Sequence, residues 1–396
     1  MTFCQPLGGV MRFTTGKQLF FLTFLLFSLI AAGIRPGRAF ETSAKYAFLM
    51  DVDTQTVLFA KNENALMSPA SMSKLMTMVM VFDALKVGQI TMEEKFFISE
   101  NAWEKGGEKS GSSTMFAKKN SQIRLKNLIP AVIVQSANDA CIAIAEGLSG
   151  SEAEFAKAMT RRAREIGLEK STFVNSTGWP DPGQKMTVSE LAKLALFIIR
   201  NYPEYYRYFS MRSFSWSGIT QRNRNPLLYQ NMGADGLKTG HTQESGYGLV
   251  ASAVRGGQRL ILAINGLDSK RARSQESRRI MDWGFRAFRP YVLLDKGSIV
   301  GEASVWGGES THVKLRTRGR ITMLMPRTSQ NAIKVAITYK SPLIAPVHKG
   351  DQVATLEATA PGAAPFRAPL YAVEDIRRSG LVGRGMARLK AFFSIF

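Results

Sequence analysis

Apolar positions recur along this chain with two different periods, and the changes between them mark its organisation. From Ala44 to Lys61, two runs with large apolar residues at every second position, Tyr46, Phe48 and Met50, then Val57 and Phe59, lie on either side of the polar stretch Asp51 to Gln55. That pattern predicts a β-hairpin. Leu75, Met76, Val79, Phe82 and Leu85 then follow helical spacing and stop at Gly88. Ser68 is a favoured N-cap, and Pro69 suits the first helical position, where its missing N–H costs nothing. A helix driven through a core and ended by a glycine cap is expected there. Two further apolar segments, Leu125 to Gln135 and Ala140 to Leu148, flank the polar cluster Ser136-Ala137-Asn138-Asp139. Ser151 with Glu154, and Thr187 with Glu190, are capping boxes opening helices that run to about Ile166 and Arg200. Between them, Asn175 to Gly183 carries glycine and proline breaks and predicts a loop. Tyr247 to Val254 and Arg259 to Gly266 predict an antiparallel hairpin, and a helix from about Ala272 to Phe288 closes this region.

At Pro290 the texture changes to short alternating runs. Val313 and Leu315, then Ile321, Met323 and Met325, then Ile333, Val335, Ile337 and Tyr339 all follow period two, so residues 291–372 read as a small β-rich domain. Near the C-terminus, Val382, Met386, Leu389, Phe393 and Phe396 recur at spacings of three and four, with Arg377, Arg384 and Arg388 on other sides. Residues 373–396 are therefore expected to form an amphipathic helix that lies on an anionic membrane surface. At the other end, Arg12 and Lys17 precede the apolar stretch Leu19 to Ile34, and Gly37-Arg38-Ala39 offers small residues for cleavage. Residues 1–39 read as a secretory signal, with the mature chain beginning at Phe40.

Length and charge narrow the picture further. The 396 residues suit two or three domains. A net charge of +21 invites a nucleic-acid reading. The basic residues are spread out without aromatic interleaving, however, and export argues against that partner, which leaves anionic membrane or wall polymers. Three separated histidines, at 241, 312 and 348, predict no metal site, and no cofactor is expected. Cys4 leaves with the signal and Cys141 has no partner, so no disulfide is expected.

The candidate chemistry lies in three short words in chain order: Ser71-x-x-Lys74, Ser136-x-Asn138 and Lys238-Thr239-Gly240. Three residues are one helical turn, so Ser71 and Lys74 share a face. A serine hydroxyl needs a base to become nucleophilic, and no histidine stands near either serine in sequence. Lys74 is the candidate base. It must be neutral to serve, which means moving its pKa from about 10.4 to near 7 or 8, roughly 4 kcal/mol against the ammonium. Partial burial and a second cation would supply that.

Together with Ser68-Pro69-Ala70-Ser71, Asn223-Arg224-Asn225 and Asp235-Gly236-Leu237 before Lys238, these words resemble the low-molecular-mass penicillin-binding proteins that act as D-alanyl-D-alanine carboxypeptidases. The resemblance covers essentially the whole chain. It implies an α+β fold: a β-lactamase/transpeptidase-like domain over residues 40–290, with an antiparallel sheet flanked by helices, then the β-rich domain and an amphipathic anchor. It implies removal of the terminal D-alanine from peptidoglycan stem peptides through a Ser71 acyl-enzyme, acylation of the same serine by β-lactams, and residence on the periplasmic face of the inner membrane. By the same resemblance Ser136 relays a proton, Asn138 holds Lys74 and the substrate amide, and Lys238 is the second cation. The backbone N–H groups of Ser71 and His241 form an oxyanion hole. Lys238, Thr239, Gly240 and Thr242 line the wall that meets the substrate carboxylate, with Arg273 and Arg224 as further candidates. A class A β-lactamase would need a Glu-x-x-x-Asn word, but Glu165 and Glu169 are followed four residues later by Glu169 and Phe173. A catalytically silent wall-binding scaffold would have no chemical need for Ser71, Lys74, Ser136 and Lys238 together.

Overall fold

This computed structural model describes residues 40–363 and 365–380. The expected first hairpin is present as β1 (Tyr46–Asp51) and β2 (Val57–Lys61). Two ribbons follow, β3 (Lys95–Phe97) with β4 (Gln122–Arg124) and β5 (Ser213–Trp216) with β6 (Ile219–Arg222). Then come β7 (Ala234–Thr242), β8 (Gly246–Arg255) and β9 (Gln258–Leu267). β1 pairs antiparallel with β9, from Tyr46 opposite Asn265 to Asp51 opposite Leu260, which joins the first and last of these strands in one five-stranded sheet ordered β2-β1-β9-β8-β7. Both of its faces are covered, so β8 and β9 are nearly continuous apolar runs. Phe48, Met50, Ile261 and Ala263 face the main core, while Leu49 and Leu260 meet Gly284 on the opposite side.

The helices are α1 (Lys74–Lys86), α2 (Glu100–Gly106), α3 (Leu125–Pro130), α4 (Asn138–Ser149), α5 (Glu152–Glu165), α6 (Val188–Asn201), α7 (Pro203–Tyr206) and α8 (Lys270–Ala287). α1 is buried on nearly every side. Its C-terminal end is as expected, with Gly88 at φ +73 just past the last turn. Its start is not. Ser68 does not cap it, and the Ser68 hydroxyl is buried without a partner. The chain instead enters through Ala70 at φ +48 and a tight 3-10 turn over Ala70–Ser73, which sets Ser71 just ahead of the helix. Ser151 and Thr187 cap α5 and α6 by accepting from the N–H groups of Glu154 and Glu190. The Glu190 carboxylate turns elsewhere, accepting from the Lys170 N–H at 2.8 Å and the Ser171 hydroxyl at 2.5 Å.

The β5–β6 hairpin lies in a stretch where no strand pattern is apparent. Its strands are only four residues each, too short to stand out; Phe214 and Trp216 of β5 are half-buried against the main core while β6 is mostly exposed, and the turn residues Ser217 and Gly218 both take positive φ.

Beyond α8 a second core forms around Val313, Leu315, Met323, Met325, Leu356 and Leu370. It is enclosed by β10 (Phe288–Leu294), β11 (Ile299–Trp306), β12 (His312–Arg316), β13 (Ile321–Pro326), β14 (Lys334–Thr338), β15 (Leu343–Ile344), β16 (Gln352–Thr359) and β17 (Phe366–Ala372). β10 pairs with β13, and the others form a six-stranded sheet ordered β14-β16-β17-β12-β11-β15. The alternation through Val335 does not bury that residue, which is 54% exposed because β14 lies at the sheet edge. Of the span expected to hold the amphipathic helix, 373–380 remains extended, with Ile376 bridged to Val347 and Arg378 to Gly308. Residues 381–396, like residues 1–39 where a signal is expected, lie outside the described residues. Among the described residues no helix is long and apolar enough to cross a membrane.

Candidate active site

The three words converge. Ser71 stands at the start of α1, Ser136 and Asn138 at the start of α4, and Lys238 to His241 on β7, the edge strand of the main sheet. The Lys74 amine is 3.0 Å from the Ser71 hydroxyl oxygen, 2.7 Å from the Asn138 side-chain oxygen and 2.5 Å from the Thr177 carbonyl. A neutral amine has two N–H donors and one lone pair. Two carbonyl acceptors take the two donors, which leaves the lone pair for the serine proton. Burial pushes the Lys74 pKa down to about 8, helped by the Arg224 guanidinium and opposed by Glu152 and Asp139. Burial is thus the leading cause, and the Arg224 guanidinium adds to it. Lys238 is pushed well below its ordinary value, by burial first and then by Lys74 and Arg224.

Lys238 donates to the Ser136 hydroxyl at 2.9 Å. Ser136 is buried and held at φ +63 between α3 and α4. Asn138 is fixed twice more, its amide donating to the Ser112 hydroxyl at 3.0 Å and its backbone N–H to the Ser113 carbonyl at 2.7 Å. Asp139 secures the same loop, accepting from the Thr114 hydroxyl and from the N–H groups of Met115 and Ala117. Burial pushes the Asp139 carboxyl up, and these bonds oppose the shift.

In front of Ser71 lies a cleft of about 530 Å³, lined by Ser71, Ser113, Ser136, Arg224, Thr239, Gly240, His241, Tyr247, Lys270 and Arg273. None of these is acidic. A side chain at Gly240 would meet the Pro69 carbonyl at 2.8 Å, so glycine lets β7 press against the turn that carries Ser71. Arg273 is not on a solvated helix face. It is 6% exposed, reaches the Arg224 carbonyl at 3.4 Å, and its buried Nε has no partner. Burial lowers its pKa to about 10. Arg224 donates to the Ser113 hydroxyl at 2.6 Å. The His241 ring stacks on Tyr247 at 3.8 Å, and burial, then Arg273 and Lys270, push its imidazole below its ordinary value. Thr242 is drawn away from the cleft. Its hydroxyl and N–H bond to Ser245, and it lines a smaller neighbouring cavity.

Sequence reasoning missed Thr177, Ser112, Ser113, Tyr247 and Lys270. The Thr177 loop is tied by the Asn175 side-chain oxygen, which accepts from the N–H groups of Thr177, Gly178 and Trp179. Gly178, at φ +79, lies so close that a Cβ there would be 2.0 Å from the Ala70 carbonyl. That glycine, noted only as a loop break, was the available signal.

An antiparallel sheet packed on a buried helix whose N-terminal end presents a serine and a lysine, faced by a second lysine on the edge strand, defines a serine-type peptidase of transpeptidase-like fold. A family model described as D-alanyl-D-alanine carboxypeptidase matches residues 34–269, and one for the C-terminal domain of penicillin-binding protein 5 matches residues 288–378. The chain belongs to the D-alanyl-D-alanine carboxypeptidase family. It is 35% identical over 339 residues to D-alanyl-D-alanine carboxypeptidase DacD of Escherichia coli, which spans 85% of this chain and 87% of that protein. It is 35% identical over 347 residues to DacC of the same organism, spanning 87% of each. Penicillin-binding protein 5 of Haemophilus influenzae superposes with a TM-score of 0.78 at 33% identity, covering 87% of this chain and all of that one.

Proposed function

We propose that this protein is a serine-type DD-carboxypeptidase that removes the terminal D-alanine from peptidoglycan stem peptides. The observation that carries the reading is the Lys74 amine, buried, lowered to about 8 and 3.0 Å from the Ser71 hydroxyl. Lys74 takes the serine proton as Oγ attacks the penultimate D-alanine carbonyl, and the N–H groups of Ser71 and His241 receive the oxyanion. Ser136, beside Lys238, passes a proton to the leaving amine of D-alanine. Water then cleaves the ester. A β-lactam takes the same attack on its ring carbonyl, and the opened ring stays bound to Ser71. The terminal carboxylate faces Arg273, Arg224 and Lys270, an acid-free wall in which one buried guanidinium nitrogen lacks a partner. A β-lactamase reading finds no support in Glu165, which pairs with Arg162 on the same helix.

The test is intact-mass analysis after exposure to penicillin and to a peptide ending in D-Ala-D-Ala. The wild type should gain a long-lived penicilloyl adduct and release D-alanine, and Ser71→Ala should do neither while remaining folded. Labelling of the alanine variant at the wild-type rate would sink the assignment.

The apolar, basic segment 381–396 and the leader-like residues 1–39 support an exported enzyme held on the periplasmic face of the inner membrane. Deleting 381–396 should leave an active enzyme that no longer sediments with anionic vesicles. Equal sedimentation of the truncated and full mature chains would assign the anchor elsewhere.

A further inference from the structure

We infer that Glu152, in the first turn of α5, is a positioning residue for Lys74: its carboxylate braces the backbone segment that holds the lysine amine and places a negative charge near it. The inference rests on Lys74 acting as the base. One Glu152 carboxylate oxygen accepts both the backbone N–H of Ser176 at 3.0 Å and the Ser176 hydroxyl at 2.6 Å. The next two carbonyls reach α1. That of Ser176 accepts from the Thr77 hydroxyl at 2.7 Å, and that of Thr177 accepts from the Lys74 amine at 2.5 Å. Lys74 and Thr77 are one turn apart and share a face, so the loop meets the helix through two consecutive carbonyls. Glu152 is a charged anchor for that loop, and hydrogen bonds to an ionised acceptor are the stronger kind.

Nothing in the local sequence demands this role. Ser151 caps α5 through the Glu154 N–H, and an acid in the first turn is ordinary helix chemistry. Glu152 instead reaches across to Ser176, twenty-four residues on. The charged or titratable groups around Lys74 are Lys238 from β7, Arg224 ahead of it, Asp139 and Cys141 from α4, and Glu152 from α5. Burial pushes the Cys141 thiol up to about 12, so it is neutral at working pH. Asp139 is committed to the Thr114–Ala117 loop. Glu152 is thus the carboxylate tied to Lys74 both by charge and through the backbone that holds it.

The two contributions separate by mutation. Glu152→Gln keeps an oxygen that can accept from Ser176 but removes the charge. Loss of a nearby anion favours the neutral amine, so the pH at which penicillin acylation begins to rise should move down by a few tenths of a unit. Ser176→Ala keeps the charge and loses the hydroxyl bond, and should slow acylation without moving that pH. Glu152→Ala removes both and should slow acylation several-fold. An acylation profile of Glu152→Gln that rises at the wild-type pH, with Glu152→Ala no slower than wild type, would overturn the inference. A wild-type profile with no rise near pH 8 would instead remove the reading of Lys74 on which it rests, so the two failures are distinguishable.

Discussion

Lys74 is the residue at which function and stability oppose one another. Its pKa is about 8 in the folded protein against an ordinary 10.5, so between those values the unfolded chain binds more protons than the folded one. Stability therefore rises with pH across this window, and the penalty is fully present below it. The free-energy difference between wild type and Lys74→Met, followed by denaturant melts from pH 7 to pH 10.5, should change in favour of wild type by about 3 kcal/mol. A difference that stays flat with pH would mean that Lys74 is not buried as a neutral amine. Arg273 makes a different demand. Its guanidinium is nearly buried with an unpartnered nitrogen, so it should bind charge on the substrate and do little for the chemistry. Arg273→Ala should raise KM at least tenfold for a D-alanine-terminated peptide, the scale of one charge-assisted hydrogen bond, about 1.5–3 kcal/mol. The C-terminally amidated peptide should be much less affected, and equal losses on both would remove Arg273 from carboxylate recognition. Ser71, Lys74, Ser136, Asn138 and Lys238 were legible in the sequence because their side chains carry the chemistry in short words. Thr177 was not, because it acts through a backbone carbonyl that every residue possesses.

At the scale of elements, the site depends on how closely the loop around Gly178 approaches the turn that carries Ser71. Gly178 takes φ +79, and a Cβ there would overlap the Ala70 carbonyl. Gly178→Ala must push the loop away from the turn before Ser71 and withdraw the Thr177 carbonyl from Lys74. We expect a loss of about 2 kcal/mol or more in stability and a fall in penicillin acylation larger than the loss of folded protein explains. Unchanged acylation and melting would show that the loop can retreat without consequence. The regular elements here were readable. Apolar residues at every second position marked β1 and β2, continuous apolar runs marked β8 and β9, and helical spacing marked α1 with its glycine end. What escaped was set by tertiary packing: the left-handed entry at Ala70, the poorly buried β5–β6 hairpin, and the exposure of Val335 on an edge strand.

At the scale of the molecule, the β-rich module has its own core, and every residue lining the cleft lies between Ser71 and Arg273. The main sheet is closed by pairing its first strand with its last, β1 with β9, and the cleft wall is β7 on the edge beyond β8. A ribosome makes Ser71 early and Lys238 much later, and β1 has no central partner until Leu267 has been made. Ser71 therefore exists through a long stretch of the chain's synthesis before the strand that faces it has been made. The arrangement around Ser71 is thus a property of the folded domain and not of the serine, and penicillin labelling of a sample should count folded peptidase domains rather than serines.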